Sequence, residues 1–414
     1  MTTKDAYIPR HVDGPLDLLL AELPAVMLTG PRACGKTTTA LRRARSVIRL
    51  DRPDEASAFA AAPDAMLGAQ QTPVLVDEWQ TVPEVMGAVK RAVDTHGGTG
   101  RFLLTGSVRA RVGGAGWPST GRVVPLPMYG LTVAELLRRT NDNDPIGWLF
   151  GDEDPATGVL DTAPSLTDLL DHAVRGGFPD AVGLSDFARS AWHDGYVGQL
   201  IRHDVAELAD VRSPAGMLSL LRAVALNTAG LPSLTTLAEA AGLTHQTVSS
   251  YLDLLEDLRV IERIPAWSSN RLSRLVKTPK YHIVDPGLAA HLAGDSRSTL
   301  LRSGDRLGRI MDTFAVAQLR PLLRLGRMSI TAHHLRDANQ RREVDLILES
   351  DAGQLVGIEI KAGSKIDPRD ARHLEWLRDQ LGEAFVRGII LHTGAATYPL
   401  AERIWAVPIA KIWR

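Results

Sequence analysis

A single cysteine, Cys34, is all that the chain offers redox chemistry. One thiol in 414 residues closes no intramolecular disulfide, which fits a reducing compartment. Long apolar runs are missing too, and none approaches the roughly 18 residues of a membrane-spanning helix. The first 14 residues are polar and hold no apolar signal-peptide core. A cytoplasmic protein with no membrane attachment is therefore expected. Net charge is nearly absent: the formal value is −1, so no global field draws the protein to nucleic acid or lipid. No internal repeat stands out. What remains is an ordinary globular composition, 44% apolar and 23% charged, over a length that suits two to four domains.

The first 140 residues alternate apolar strands with helical stretches. Strands are expected at 25–30, 47–51, 73–77, 101–107 and 123–128, and helices at 37–46 and 82–95. That alternation predicts a parallel sheet covered on both faces. Residues 140–165 are rich in Asp, Gly and Pro and read as a mostly irregular connection. Residues 166–230 read as helical, with an Arg-Gly-Gly-Phe-Pro turn at 175–179 and an amphipathic run over 188–208. A helix-turn-helix pattern follows: Ser233 caps a helix to Ala241, Gly242 turns, Thr244 caps a second helix to Leu258, and 260–265 enter a wing strand. The last block, 300–414, predicts strands at 344–348, 355–360 and 386–392 and a helix near 368–381.

Residues 30–37 form a G-x-x-x-x-G-K-T loop between a strand and a helix. Gly30, Pro31, Arg32, Ala33, Cys34, Gly35, Lys36 and Thr37, with Thr38 after them, are expected to bind ATP. The glycines let backbone N–H groups turn inward to cradle phosphate oxygens, and the helix N-terminus adds its positive dipole end. Lys36 would reach the β- and γ-phosphates and Thr37 would hold Mg²⁺. Some 40 residues on, an apolar strand ends in Asp77 and Glu78. Asp77 suits the outer shell of Mg²⁺, and Glu78 suits a general base on the attacking water. A further strand ends in Thr105 and Ser107, hydroxyls that can bond a water or the γ-phosphate. Arg109, Arg111 and Arg122 are candidates to meet charge on the transferring phosphoryl group; Arg122, just before a strand, is the best defined. Cys34 reads as a small packing residue rather than a redox switch.

The segments GPRACGKTT (30–38), LVDEWQ (75–80), FLLTGS (102–107), GRVVPLPMYGLTVAEL (121–136), GGFPDAV (176–182), KTPKYHIVDPGLAAHL (277–292) and REVDLILE…GQLVGIEIKAG (342–363) together resemble the prokaryotic AAA-like ATPases that carry a C-terminal domain of unknown function. The resemblance covers most of the chain. It implies an α/β protein with an AAA-like P-loop core over 1–139, a linker and helical region over 140–230, a winged-helix-like domain over 231–294 and a restriction-endonuclease-like domain over 295–414. Trp79 departs from the aliphatic residue usual in that family, which should alter packing near the site but not the two acids.

In the last block Asp345 lies on one strand and Glu359-Ile360-Lys361 on the next, with Glu359 and Lys361 on one face. This looks like the D…E-x-K signature of restriction-type nucleases, whose carboxylates bind Mg²⁺ or Mn²⁺ and whose lysine stabilises charge or a nucleophilic water. Asp312 stands where many members of that fold place another acid, and His392, at the end of a later strand, is a weaker neighbour. A hairpin with Glu and Lys on a solvated face would give the same letters. Residues 267–345 carry 14 Lys and Arg against seven Asp and Glu, an excess that phosphate contact could use. The expected recognition helix, 245–258, instead lacks Lys and Arg and holds Asp253, Glu256 and Asp257. Three functions remain open: a Mg²⁺-dependent ATPase whose nucleotide state controls a C-terminal module that binds nucleic acid or protein, an ATP-regulated nuclease acting on DNA or RNA, and a non-catalytic nucleotide-dependent scaffold. An arginine finger from a neighbouring subunit would make the protein an oligomer.

Overall fold

The computed structural model describes residues 7–106, 121–140, 146–151, 153–205, 213–269, 278–324, 328–336 and 342–413. They fall into two compact units, one of 1–131 with 178–180 and 257–260, the other the remainder.

In the first unit α1 (Asp13–Glu22) leads into β1 (Ala25–Thr29). There follow α2 (Lys36–Leu41), β2 (Ser46–Arg49), α3 (Pro53–Ala61), α4 (Pro63–Gly68), β3 (Val74–Asp77), α5 (Val85–His96), β4 (Phe102–Gly106) and β5 (Val123–Pro127). The strands are parallel, in the order β2-β3-β4-β1-β5. β1, β3 and β4 are buried along their whole length, as near-continuous apolar sequence requires of strands covered on both faces. Alternation then sorts their side chains. Met27, Val76 and Leu104 pack with Phe59, Val85 and Val89 on one face. Val26, Leu75 and Leu103 pack with Leu16, Cys34 and Ala40 on the other. Cys34 is thus a buried packing residue. The helix expected over 37–46 stops at Leu41, and Arg43 pairs instead with Asp13 and Asp17 of α1. Pro53 and Pro63, each at a first helical position, start two helices that the strand pattern did not reveal.

The second unit holds α6 (Val133–Leu136), β6 (Gly158–Val159), α7 (Leu166–Arg175), α8 (Asp186–Gln199), α9 (Pro214–Leu226), α10 (Leu234–Ala241) and α11 (His245–Asp257). It continues through β7 (Ile261–Ile264), β8 (Lys280–Ile283), α12 (Pro286–Ala293), α13 (Arg297–Leu300), α14 (Gly304–Leu319), β9 (Ile330–Arg336), β10 (Glu343–Ser350) and β11 (Leu355–Lys361). It ends with α15 (Arg372–Leu381), β12 (Phe385–His392), β13 (Ala396–Ala401) and β14 (Ile404–Pro408). Ser233 caps α10 by accepting the Thr236 N–H, Gly242 ends it at φ 64°, and Thr244 accepts the Thr247 N–H at the start of α11. β7 and β8 pair antiparallel. The expected run over 188–208 ends its regular part at Gln199 and widens into a π-helical turn at Leu200–Asp204. No unit boundary falls near 230 or 294, because α9 packs on α10 and α12, and α12 packs on α7 and α14.

The C-terminal sheet has the order β6-β13-β14-β12-β11-β10-β9. β12 is parallel to β11 and β14, and the other pairs are antiparallel. Its edge strand β6 comes from the segment expected to be irregular, where Gly158 and Val159 pair with Thr397 and Ala396. Buried Arg387 fastens the same segment by donating to the carbonyls of Trp148, Gly151 and Glu153. Among the described residues no helix is long and apolar enough to cross a membrane.

Candidate functional site

The loop at 30–37 leaves the C-terminal end of β1 and enters α2. Gly35 sits at φ 99°, a conformation that glycine adopts without Cβ strain. A Cβ at Gly30 would stand 2.0 Å from the Met128 carbonyl oxygen, so the backbone passes there only as glycine. Lys36 is buried, and its Nζ donates to the carbonyls of Gly30 at 3.0 Å and Pro31 at 2.8 Å. The ammonium is thereby held across the loop that it would share with phosphates. Thr38 is exposed, whereas Thr39 is buried and bonded to Tyr7. Arg10, absent from the expected site, donates to Cys34 O at 2.8 Å and Tyr129 O at 2.6 Å, tying the loop to the chain leaving β5. Its only sequence signal is an arginine in an otherwise polar lead segment.

Strand register builds the rest. β4 lies between β1 and β3, and Asp77 is the register partner of Thr105. Thr37 Oγ1 donates to Asp77 Oδ1 at 2.8 Å, and the Thr105 hydroxyl donates to the same oxygen. Three oxygen groups from three elements therefore meet at the strand ends, a hard-donor set that suits Mg²⁺. Thr105 is engaged with the acid, where the sequence placed it on a water or phosphate. Glu78 follows at φ 53°, a left-handed conformation that costs a non-glycine residue energy and that clusters at functional sites. The Gln80 amide donates to the Glu78 carboxylate. Trp79 is buried in the sheet core.

Arg122 requires a correction. It precedes Val123, which pairs with Ala25, the first residue of β1, while the loop leaves the other end of β1. Strand rise puts that separation at roughly 15 Å. Arg122 instead makes an exposed ion pair with Asp94 of α5, 2.9 Å from Nε to Oδ1, and Lys90, then Arg122, lowers the Asp94 pKa. It is no finger or sensor for this chain's own loop. Ser107, Arg109 and Arg111 lie outside the described residues.

The C-terminal residues expected to form a second site do come together. Asp312 on α14, Asp345 on β10 and Glu359 on β11 are joined by Lys361, 3.3 Å from Glu359 Oε2, and by His373, 3.7 Å from Glu359 Oε1. The residue that sequence reasoning missed is Lys280 on β8. It is 2% exposed, and its Nζ lies 2.6 Å from Asp312 Oδ2 and 3.0 Å from Asp345 Oδ1. Burial pushes Asp312 up to about 7. Burial also works on Asp345, but Lys280 and the Ile360 N–H outweigh it and hold that carboxyl below its usual range. Burial, then Asp345, raises Glu359. His392 is not part of the cluster: its Nδ1 accepts the Gly394 N–H and its Nε2 faces the Ala396 carbonyl. Among the described residues no three His, Cys, Asp or Glu side chains converge to hold a metal ion.

Comparison with known proteins gives three family matches along the chain. Residues 22–137 match an AAA domain family, residues 166–299 the domain of unknown function DUF8612, and residues 307–412 the domain of unknown function DUF4143. An uncharacterised protein of Mycobacterium tuberculosis is 29% identical over 400 residues, 95% of this chain and 82% of the relative, and one of Mycobacterium bovis matches equally. An uncharacterised protein of Haemophilus influenzae is 25% identical over 233 residues, 53% of this chain and 52% of its own. Among solved structures, a Walker-type ATPase of Pyrococcus abyssi aligns with a TM-score of 0.41 and 15% identity over 70% of this chain and 97% of its own. Residues 22–137 are thus similar to AAA domains. The C-terminal segment's family match is to a domain of unknown function.

Proposed function

We propose that the protein is a P-loop ATPase of the AAA type, that it hydrolyses ATP with Mg²⁺ and that its nucleotide state controls a protein-binding module in the second unit. The observation that carries the catalytic part is the convergence of Thr37, Asp77 and Thr105 beside Lys36, with Glu78 held by Gln80. Lys36 would exchange its two loop carbonyls for phosphate oxygens. Thr37 and Asp77 would hold Mg²⁺, which neutralises charge on the phosphoryl group when bound. Glu78 would take the proton of the attacking water.

A protein partner is favoured over nucleic acid because, among the described residues, several of the second unit's cations are spent internally. Arg263 pairs with Asp253 and Glu256 of α11, Arg306 with Asp295, Arg309 with Asp305, and Arg320 with Glu262. A phosphate backbone needs cations that are available to it.

The test is ATP turnover and binding by wild type, Lys36→Ala and Glu78→Gln, with and without DNA and RNA. Lys36→Ala should lose ATP binding. Glu78→Gln should keep it while hydrolysis falls about 10²–10⁴-fold. Turnover by Lys36→Ala at the wild-type rate would overturn the catalytic reading, and strong stimulation by DNA or RNA would overturn the partner assignment.

A further inference from the structure

The carboxylates of the second unit already have a cation. Lys280 Nζ bridges Asp312 Oδ2 and Asp345 Oδ1 at 2.6 and 3.0 Å. The other Asp345 oxygen, Oδ2, accepts the Ile360 N–H at 2.9 Å. Glu359 faces Lys361 on one oxygen and His373 on the other. Three acids therefore stand with two lysines and a histidine, and Lys280, Asp312 and Glu359 are all buried. A divalent ion would need the place of the Lys280 ammonium, which already bridges two of the three carboxylates. Burying an uncompensated charge is strongly unfavourable. The residues present do not fit a metal centre.

We propose that Lys280 is a built-in substitute for the divalent cation, so that the D…E-x-K cluster is a metal-free clip and not a nuclease site. The chain supports this by where Lys280 sits. β8 is paired to β7, and just beyond β7 the chain bonds to β9: the His334 N–H donates to Pro265 O at 3.0 Å and the Trp267 N–H to His334 O at 2.6 Å. Lys280 adds bonds from β8 to α14 and β10. The hairpin that follows the helix-turn-helix is thereby fastened to the C-terminal sheet through the same acids that a metal would occupy. This assignment does not depend on ATP hydrolysis by the first unit.

The experiment titrates Mn²⁺ into the full-length protein without nucleotide, following free Mn²⁺ by electron paramagnetic resonance. Wild type should show no site that Asp345→Asn removes. Lys280→Met, similar in length and uncharged, should gain one Mn²⁺ per chain, bound roughly tenfold or more tighter than at any wild-type site, and Lys280→Met with Asp345→Asn should lose it. One Mn²⁺ in wild type that disappears in Asp345→Asn overturns the proposal, as does a folded Lys280→Met protein that gains no Mn²⁺. Should Lys280→Met fail to fold, the comparison of wild type with Asp345→Asn decides alone.

Discussion

Asp77 Oδ1 is the point on which the nucleotide site turns, because two hydroxyls from different elements donate to it. Thr37 is the one expected to leave that bond for a metal, and Thr105 is the one that keeps the carboxylate oriented when it does. Thr105 is 1% exposed, so Thr105→Val keeps its shape while deleting the donor. Loss of one such bond costs about 1 kcal/mol, which leaves the fold intact. The expected result is a several-fold rise in the Mg²⁺ concentration giving half-maximal ATPase activity, with ATP affinity nearly unchanged. A Mg²⁺ titration superimposable on that of wild type would assign Thr105 a packing role only. The loop itself was legible from eight consecutive letters because its chemistry is local. The Thr105–Asp77 bond was not, since it depends on β4 lying between β1 and β3. Lys280 was hidden more deeply: its partners lie 32 and 65 residues away in sequence, and a lysine opening a short strand gives no hint that it is buried.

At the scale of elements, strand ends decide what can meet. The direction of β5 removes Arg122 from the site although its strand was correctly expected, because identifying a strand does not by itself say which end carries the chemistry. The turn after β3 is the converse case, where packing enforces chemistry. A Cβ at Gly106, the last residue of β4, would lie 2.5 Å from Gln80 Oε1 and 2.6 Å from Trp79 Nε1. Trp79 is locked in the core, so the methyl group displaces Gln80 and with it the carboxylate of Glu78. Gly106→Ala should lower kcat by about 10- to 100-fold, the usual consequence of moving a catalytic group by an ångström or so, while ATP binding persists. Gly68 is the control: it closes α4 with nothing within 4 Å of its Cβ position, so Gly68→Ala should leave kcat unchanged. Equal losses in both variants would show a general helix or sheet effect instead of the Gly106–Gln80–Glu78 contact.

Across the whole second unit, buried groups of opposite type set the response to pH. His193 and His334 are pushed down to about 4 chiefly by burial, so each resists protonation in the folded state. Asp285 is pushed up to about 6 by burial, against the N–H groups of Gly177, Leu288 and Gly287 that favour its ionised form. For the histidines the unfolded chain binds protons first, and stability falls as pH drops from 6.5 toward 4. For Asp285 the folded pKa lies above the unfolded 3.8, so its penalty is absent below that value and grows as pH rises through 6. These opposing slopes partly cancel in the wild-type profile, and a single substitution separates them. Asp285 caps α12 and holds the Gly177 turn, accepting from Leu288 at 2.8 Å and Gly177 at 2.7 Å. Asp285→Asn loses one acceptor at every pH but carries no charge to bury. Its melting temperature relative to wild type should therefore improve between pH 5 and pH 7, by the equivalent of about 1 kcal/mol. A difference that stays constant over that range would mean that the three N–H groups keep Asp285 ionised throughout, and that the turn at 175–179 is anchored by a full carboxylate charge.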